Sequence, residues 1–152
     1  MISKDVLISQ LNDLFAPDSI AIVGLPREMK TGKLFLLSLL DQEYKGKIYP
    51  VNPNTKEIDG FKSYPSLLDI PGKVDLVIIL VPNNATLPVL KECAIKGVKG
   101  AVLFTAGYKE TGSEEGKALE KQFLSIARKS GMRLIGPNGM GLFAPKSGIS
   151  FF

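Results

Sequence analysis

An α/β fold built on an open, doubly wound, mainly parallel sheet is predicted by two observations. Short apolar, β-branched segments alternate with stretches of helix length along the chain, the pattern of strand–helix–strand units. One segment, Leu76-Val77-Ile78-Ile79-Leu80-Val81, is apolar at every position. A strand of that kind needs helices over both faces of its sheet.

Taken in order, Met1 to Phe15 mixes Lys4, Asp5 and Asp13 with apolar residues and places Leu7, Leu11 and Leu14 on one side of a short lead-in helix. The charges interrupt the apolar stretch that an export signal needs. Strands are expected at Ser19 to Val23, Lys47 to Val51, Asp75 to Val81 and Gly100 to Thr105. A shorter fifth is expected at Arg133 to Ile135, just before the Gly136-Pro137-Asn138 turn. Helices are expected at Gly32 to Gln42, Asn84 to Lys96 and Ser113 to Lys129, the last with Leu119, Phe123 and Ile126 at helical spacing.

Thr111-Gly112-Ser113-Glu114 has capping-box spacing, and Glu114 and Glu115 complement the positive end of the helix that follows. Asn52 to Lys73 carries Pro53, Gly60, Pro65, Pro71 and Gly72. There a loop, a short strand or turn near Phe61 to Tyr64, and one helical turn around Ser66 to Asp69 are expected. Right-handed crossovers then make a Rossmann-like, five-stranded sheet with the first strand near its centre and helices on both faces.

Composition bounds the function. The 152 residues, 45% apolar and 22% charged, suit one globular domain without disulfides. The single cysteine, Cys93, points to a reducing cytoplasm and, within a helix, to a buried structural thiol. No apolar run approaches the roughly 20 residues of a membrane span. A net charge of +4 suits an anionic ligand, but the basic residues are dispersed. Without a basic cluster or a reading motif, nucleic acid is not an expected partner. There is no histidine, hence no Ser-His-Asp or Cys-His pair, no His-based metal site and no phosphohistidine. No metal is expected.

In an open parallel sheet the ligand crevice lies beyond the carboxyl ends of the strands. After the first strand, Gly24 lets the chain turn sharply. Thr31 and Gly32 are expected to offer unpaired amides at a helix start, with Lys30 and Lys33 adding charge. Gly24-Leu25-Pro26 is no dinucleotide fingerprint, and G-x-x-x-x-G-K-[ST] is absent. After the second strand come Asn52 and Lys56 in place of a ribose-binding acid; Lys56 suits an extra phosphate or is simply exposed.

Val81 and Pro82 suit a wall beside a flat base, with Asn83 or Asn84 capping the next helix. Thr105, Ala106 and Gly107, followed by Tyr108, allow a ligand chain to run close to the backbone. Asn138 either bonds a ligand or braces the loops.

Together, Ser19 to Gly24, Gly46 to Pro53, Tyr64 to Leu67, Asp75 to Val77, Val81-Pro82, Gly97 to Ala101, Ala106 to Tyr108 and Gly136 to Asn138 resemble one family in content and order. It is the N-terminal CoA-binding domain of the NDP-forming (ADP-forming) acyl-CoA synthetases, relatives of the succinyl-CoA synthetase alpha subunit. The resemblance implies coenzyme A or acyl-CoA as ligand, with phosphate contacts around Lys30, Thr31 and Gly32 and nucleotide contacts near Lys56. It further implies adenine beside Val81 and Pro82, and the pantetheine arm along Thr105, Ala106 and Gly107.

Two loops depart from the family. Gly24-Leu25-Pro26 stands where Gly-Ala-Ser is usual, and Gly139 where cysteine commonly follows Gly-Pro-Asn. The resemblance also implies that a phosphohistidine-bearing domain and an ATP-grasp unit complete the enzyme, so this chain binds without turning over. One CoA-binding domain is therefore expected over residues 1–141. An irregular tail over residues 142–152, with Phe151 and Phe152 at its end, is expected to lead to a further domain. Open alternatives are a stand-alone CoA or nucleotide sensor, the CoA-binding module of a protein acetyltransferase, and an NAD(P)-binding oxidoreductase domain.

Overall fold

The computed structural model describes residues 3–150. Along them run α1 (Lys4–Phe15), β1 (Ser19–Val23), α2 (Lys33–Asp41), β2 (Lys47–Val51), β3 (Glu57–Ile58), β4 (Phe61–Lys62), β5 (Leu76–Ile79), α3 (Asn83–Lys96), β6 (Gly100–Leu103), α4 (Glu114–Ser130), β7 (Arg133–Ile135), β8 (Phe143–Ala144) and β9 (Ile149–Ser150). The five long strands form one parallel sheet in the order β2-β1-β5-β6-β7. β5 takes the middle place with β1 beside it. The chain crosses outward from β1 to β2, then back past β1 to β5, so the β1–β5 boundary is the switch point of a doubly wound sheet.

Strand periodicity divides the core. Ala21, Val23, Val77, Ile79, Ala101 and Leu103 face one side, packed with Leu90 and Cys93 of α3 and Phe123 of α4. Ile20, Ile22, Leu76, Ile78 and Val102 face the other, against Leu14 of α1 and Phe35, Leu36 and Leu39 of α2. Alternate residues thus go to opposite faces, and both faces are covered. Each fully buried aliphatic side chain contributes roughly 1.5–3 kcal/mol to this packing. Burial pushes the Cys93 thiol up to about 12, with Glu92 raising it further. It is a packing residue, as expected.

Helix ends follow local chemistry. α3 stops at Gly97, whose left-handed φ of 74° lets its N–H return to the last turn. The expected capping box is not what starts α4. Ser113 is the cap, its Oγ accepting from the Gly116 N–H at 3.0 Å. Thr111 Oγ1 accepts from the Ser113 N–H, and Glu114 pairs with Lys117 at 2.6 Å instead of reaching back. Gly112, with φ 76°, turns the chain between them.

The irregular stretch after β2 is as expected: β3 and β4 form a small hairpin turning through Asp59 and Gly60, both at positive φ. Tyr64 bridges to Val51, and a single helical turn covers Leu67–Asp69.

Residues 142–150 differ from the expected irregular tail. β8 and β9 pair antiparallel, and Leu142 and Ile149 are buried in the core beneath α2. The reason is hydrophobic: this face of the sheet needs cover. Phe151 and Phe152 lie outside the described residues.

α1 docks through Leu14 against Gly100 and through the Gln10 amide oxygen, which accepts from the Arg133 Nε–H at 3.0 Å. Leu7 and Leu11, expected on the same side of the helix as Leu14, stay about two-fifths exposed. Among the described residues no helix is long and apolar enough to cross a membrane.

Candidate functional site

The loops leaving the carboxyl ends of the sheet strands are tied to one another in a row. Asn52, after β2, donates from Nδ2 to the Leu25 carbonyl after β1 at 3.0 Å. Gly24, with φ 83°, lies so close to the loop after β5 that a Cβ there would meet Val81 Cγ1 at 2.9 Å. Thr105, after β6, donates from Oγ1 to the Val81 carbonyl at 2.5 Å. The Asn138 N–H, after β7, donates to the Thr105 carbonyl at 3.1 Å. Gly24, Asn52, Val81, Thr105 and Asn138 are thus brought together. Pro82, Ala106 and Gly107 adjoin them in the same loops.

Thr31 and Gly32 stand at the entrance to α2, whose first bonds run from the Lys33 and Leu34 N–H groups back to the Lys30 and Thr31 carbonyls. Among the described residues the Thr31 and Gly32 N–H groups have no protein acceptor. Such open amides at a helix start attract an anion. Lys30 is exposed, near Glu28 at 3.7 Å, so its ammonium is available to a stronger anion. Lys56 is also exposed and stands outside the row, joined to β4's end only through its carbonyl, which accepts from the Ser63 N–H.

Several roles differ from those expected. Asn52 is a brace: its Oδ1 also accepts from the Asn54 N–H at 2.9 Å. Neither asparagine caps α3. Pro82 occupies the cap position, and Asn83 Nδ2 donates instead to the Gly107 carbonyl at 3.3 Å. Tyr108 is no ligand-side aromatic. The chain turns inward after Gly107, at φ 108°, and buries Tyr108 with its hydroxyl 2.8 Å from Thr86 Oγ1 and its ring edge-on to Phe123 at 5.1 Å. Leu25, where the family usually has alanine, is fully buried in the α2 face of the core. That burial draws the backbone after Gly24 inward.

Two charged residues have contacts that their surroundings in sequence did not announce. Glu110 accepts from the Gly107 and Tyr108 N–H groups at 2.7 and 3.1 Å. The Gly107 bond foremost holds its carboxyl below the usual range. An acid two or three residues after a turn glycine is a legible signal for such a local bond. Lys33, expected to add charge beside the open amides, is instead buried; its ammonium lies 3.0 Å from the Arg27 carbonyl and 2.8 Å from Asp59 Oδ2. Nothing local announces that pair.

A cavity of about 600 Å³ opens at the opposite, amino-terminal edge, between Asp18, Tyr44, Lys47 and Lys146. No residue of the row lines it. Burial raises the Tyr44 hydroxyl far above its ordinary value, aided by Asp75 and Asp18, while that hydroxyl donates to the Pro17 carbonyl at 2.7 Å. Tyr44 is a strut. Among the described residues no group of three or more His, Cys, Asp or Glu side chains is placed to hold a metal. The carboxyl edge thus combines open amides, small residues and an exposed lysine.

Comparison with known proteins identifies the family. The sequence profile of the CoA binding domain family matches residues 18–145. The acetate–CoA ligase [ADP-forming] II of Archaeoglobus fulgidus is 45% identical over 95% of this chain, which spans 22% of that protein. The acetate–CoA ligase [ADP-forming] II subunit alpha of Pyrococcus furiosus is 46% identical over 87% of this chain, which spans 29% of that subunit. The structure of the dinucleotide-forming acetyl-coenzyme A synthetase 1 of Candidatus Korarchaeum cryptofilum, in complex with phosphate and ADP, superposes with a TM-score of 0.84. It is 42% identical over 90% of this chain, which covers 29% of that one. The chain spans under a third of each of these three relatives, and it belongs to the CoA-binding domain family.

Proposed function

We propose that this chain holds coenzyme A for an ADP-forming acyl-CoA synthetase, which converts acid, ATP and CoA to acyl-CoA, ADP and phosphate. The observation that carries the reading is the row of joined loops at the carboxyl edge, with two open amides where α2 begins. The diphosphate sits at the N–H groups of Thr31 and Gly32, with Lys30 as the exposed cation. Adenine lies against Val81 and Pro82, and Lys56 meets the additional phosphate of the nucleotide. The pantetheine arm follows Thr105, Ala106 and Gly107 toward Asn138. Gly24 and Asn52 shape the loops.

The chain contains no histidine, so phosphoryl relay and ATP handling belong to other domains or subunits of the enzyme. A single buried cysteine suits a reducing, cytoplasmic setting. Calorimetry on the folded chain tests the ligand. Saturable binding of CoA at millimolar concentration or below, tighter than that of NADH, is expected. A folded chain that takes up no CoA, or prefers NADH, overturns the proposal.

A further inference from the structure

Lys33 is the one buried charged residue among those described, 5% exposed at the first position of α2. Burying an ammonium is costly unless each of its N–H bonds finds an acceptor. Here three acceptors surround it: the Arg27 carbonyl at 3.0 Å, the Pro26 carbonyl at 3.3 Å and Asp59 Oδ2 at 2.8 Å. Two belong to the loop between β1 and α2. The third sits at the tip of the β3–β4 hairpin, where Asp59 takes the left-handed φ of 50° beside Gly60.

From this geometry we infer that Lys33 is a positioning residue for the phosphate-binding loop and Asp59 its counter-ion; the inference rests on the ligand assignment proposed above. The ammonium draws the Pro26 and Arg27 carbonyls inward, under the loop. It thereby fixes the path of the residues leading to the open Thr31 and Gly32 amides, and fastens that loop to the hairpin next to the Lys56 segment. Lys33 does not touch the ligand. Its charge is spent on the loop and on Asp59, which leaves Lys30 as the cation facing outward.

The test compares the wild-type chain with Lys33→Met, which keeps the length of the side chain and removes the charge. Removing one member of a buried ion pair is costly when it strands the other charge away from water, but Asp59 is 40% exposed and can return to water. Three results are expected: a urea midpoint close to wild type, faster hydrogen exchange at the amides of residues 33 and 34, which donate to the loop carbonyls of Lys30 and Thr31, and CoA binding weakened about tenfold, the size of one charge-assisted hydrogen bond. Affinity for pantetheine, which carries no phosphate, is expected to stay unchanged.

Unchanged exchange at those two amides, or equal losses for CoA and pantetheine, overturns the positioning role. Should Lys33→Met not fold, Asp59→Ala removes the counter-ion and the tie to the hairpin from the exposed side, and CoA affinity and exchange at Lys33 and Leu34 that both stay at the wild-type values there overturn the proposal. A wild-type chain that binds no CoA defeats the ligand assignment instead, and exchange at those two amides then decides whether Lys33 orders the loop.

Discussion

Glu110 shows how one side chain sets a backbone path. Its two carboxylate oxygens take the N–H groups of Gly107 and Tyr108, the point where the chain leaves the carboxyl edge of the sheet and dives into the core. The carboxyl is held below its ordinary range, so the sign of its linkage follows directly. The folded state is favoured by this contact above the unfolded carboxylate range, and the contact is lost as pH falls through the lowered folded value. The Gly107 and Tyr108 amide proton resonances are therefore expected to shift together with a midpoint below the usual glutamate value. In Glu110→Gln that titration should vanish, which NMR across an acid series checks. A midpoint at the ordinary value would show that the carboxylate is not engaged.

Among the elements, α4 is the clearest case of local determination. Its start was legible from the capping-box spacing of Thr111 to Glu114, but that spacing points to Thr111 as the cap, whereas the structure has Ser113 there. The choice fell to Gly112, whose left-handed turn leaves Ser113 in the extended conformation that a cap requires. Ser113→Ala is expected to cost about 1 kcal/mol, read as a lower urea midpoint with an unchanged slope. α3 shows the opposite outcome. Two adjacent asparagines looked like caps, yet Pro82 holds that position and Asn83 reaches across to Gly107. A polar side chain at a helix start is drawn to whichever unsatisfied group lies nearest, and here that group belongs to another loop.

For the whole molecule, the decisive fact is that both faces of the sheet must be covered. α3 and α4 close one face. The other is shared by α1, α2 and the β8–β9 hairpin, with Ile149 fully buried. Residues 142–150 therefore contribute to the same core as β1 and β5. Ile149→Ala is expected to destabilise the chain by about 2–5 kcal/mol, measured by urea denaturation. A loss below about 0.5 kcal/mol, ordinary for surface positions, would show that the hairpin is dispensable to the core.

By itself the sequence determined the five strands, the three helices between them and the loops that carry the candidate site. Those rest on local quantities: apolar period, β-branched content, and glycine and proline at turns. Gly24, Thr31, Gly32, Val81 and Thr105 were legible for the same reason, since position after a strand places them at one edge. Only the tertiary structure decided that Asn52 braces Leu25, that Tyr108 is buried, and that Lys33 is enclosed by Asp59 and two loop carbonyls. Each depends on residues distant in the chain meeting in space, and whether a lysine is solvated or enclosed is settled only when the elements around it pack.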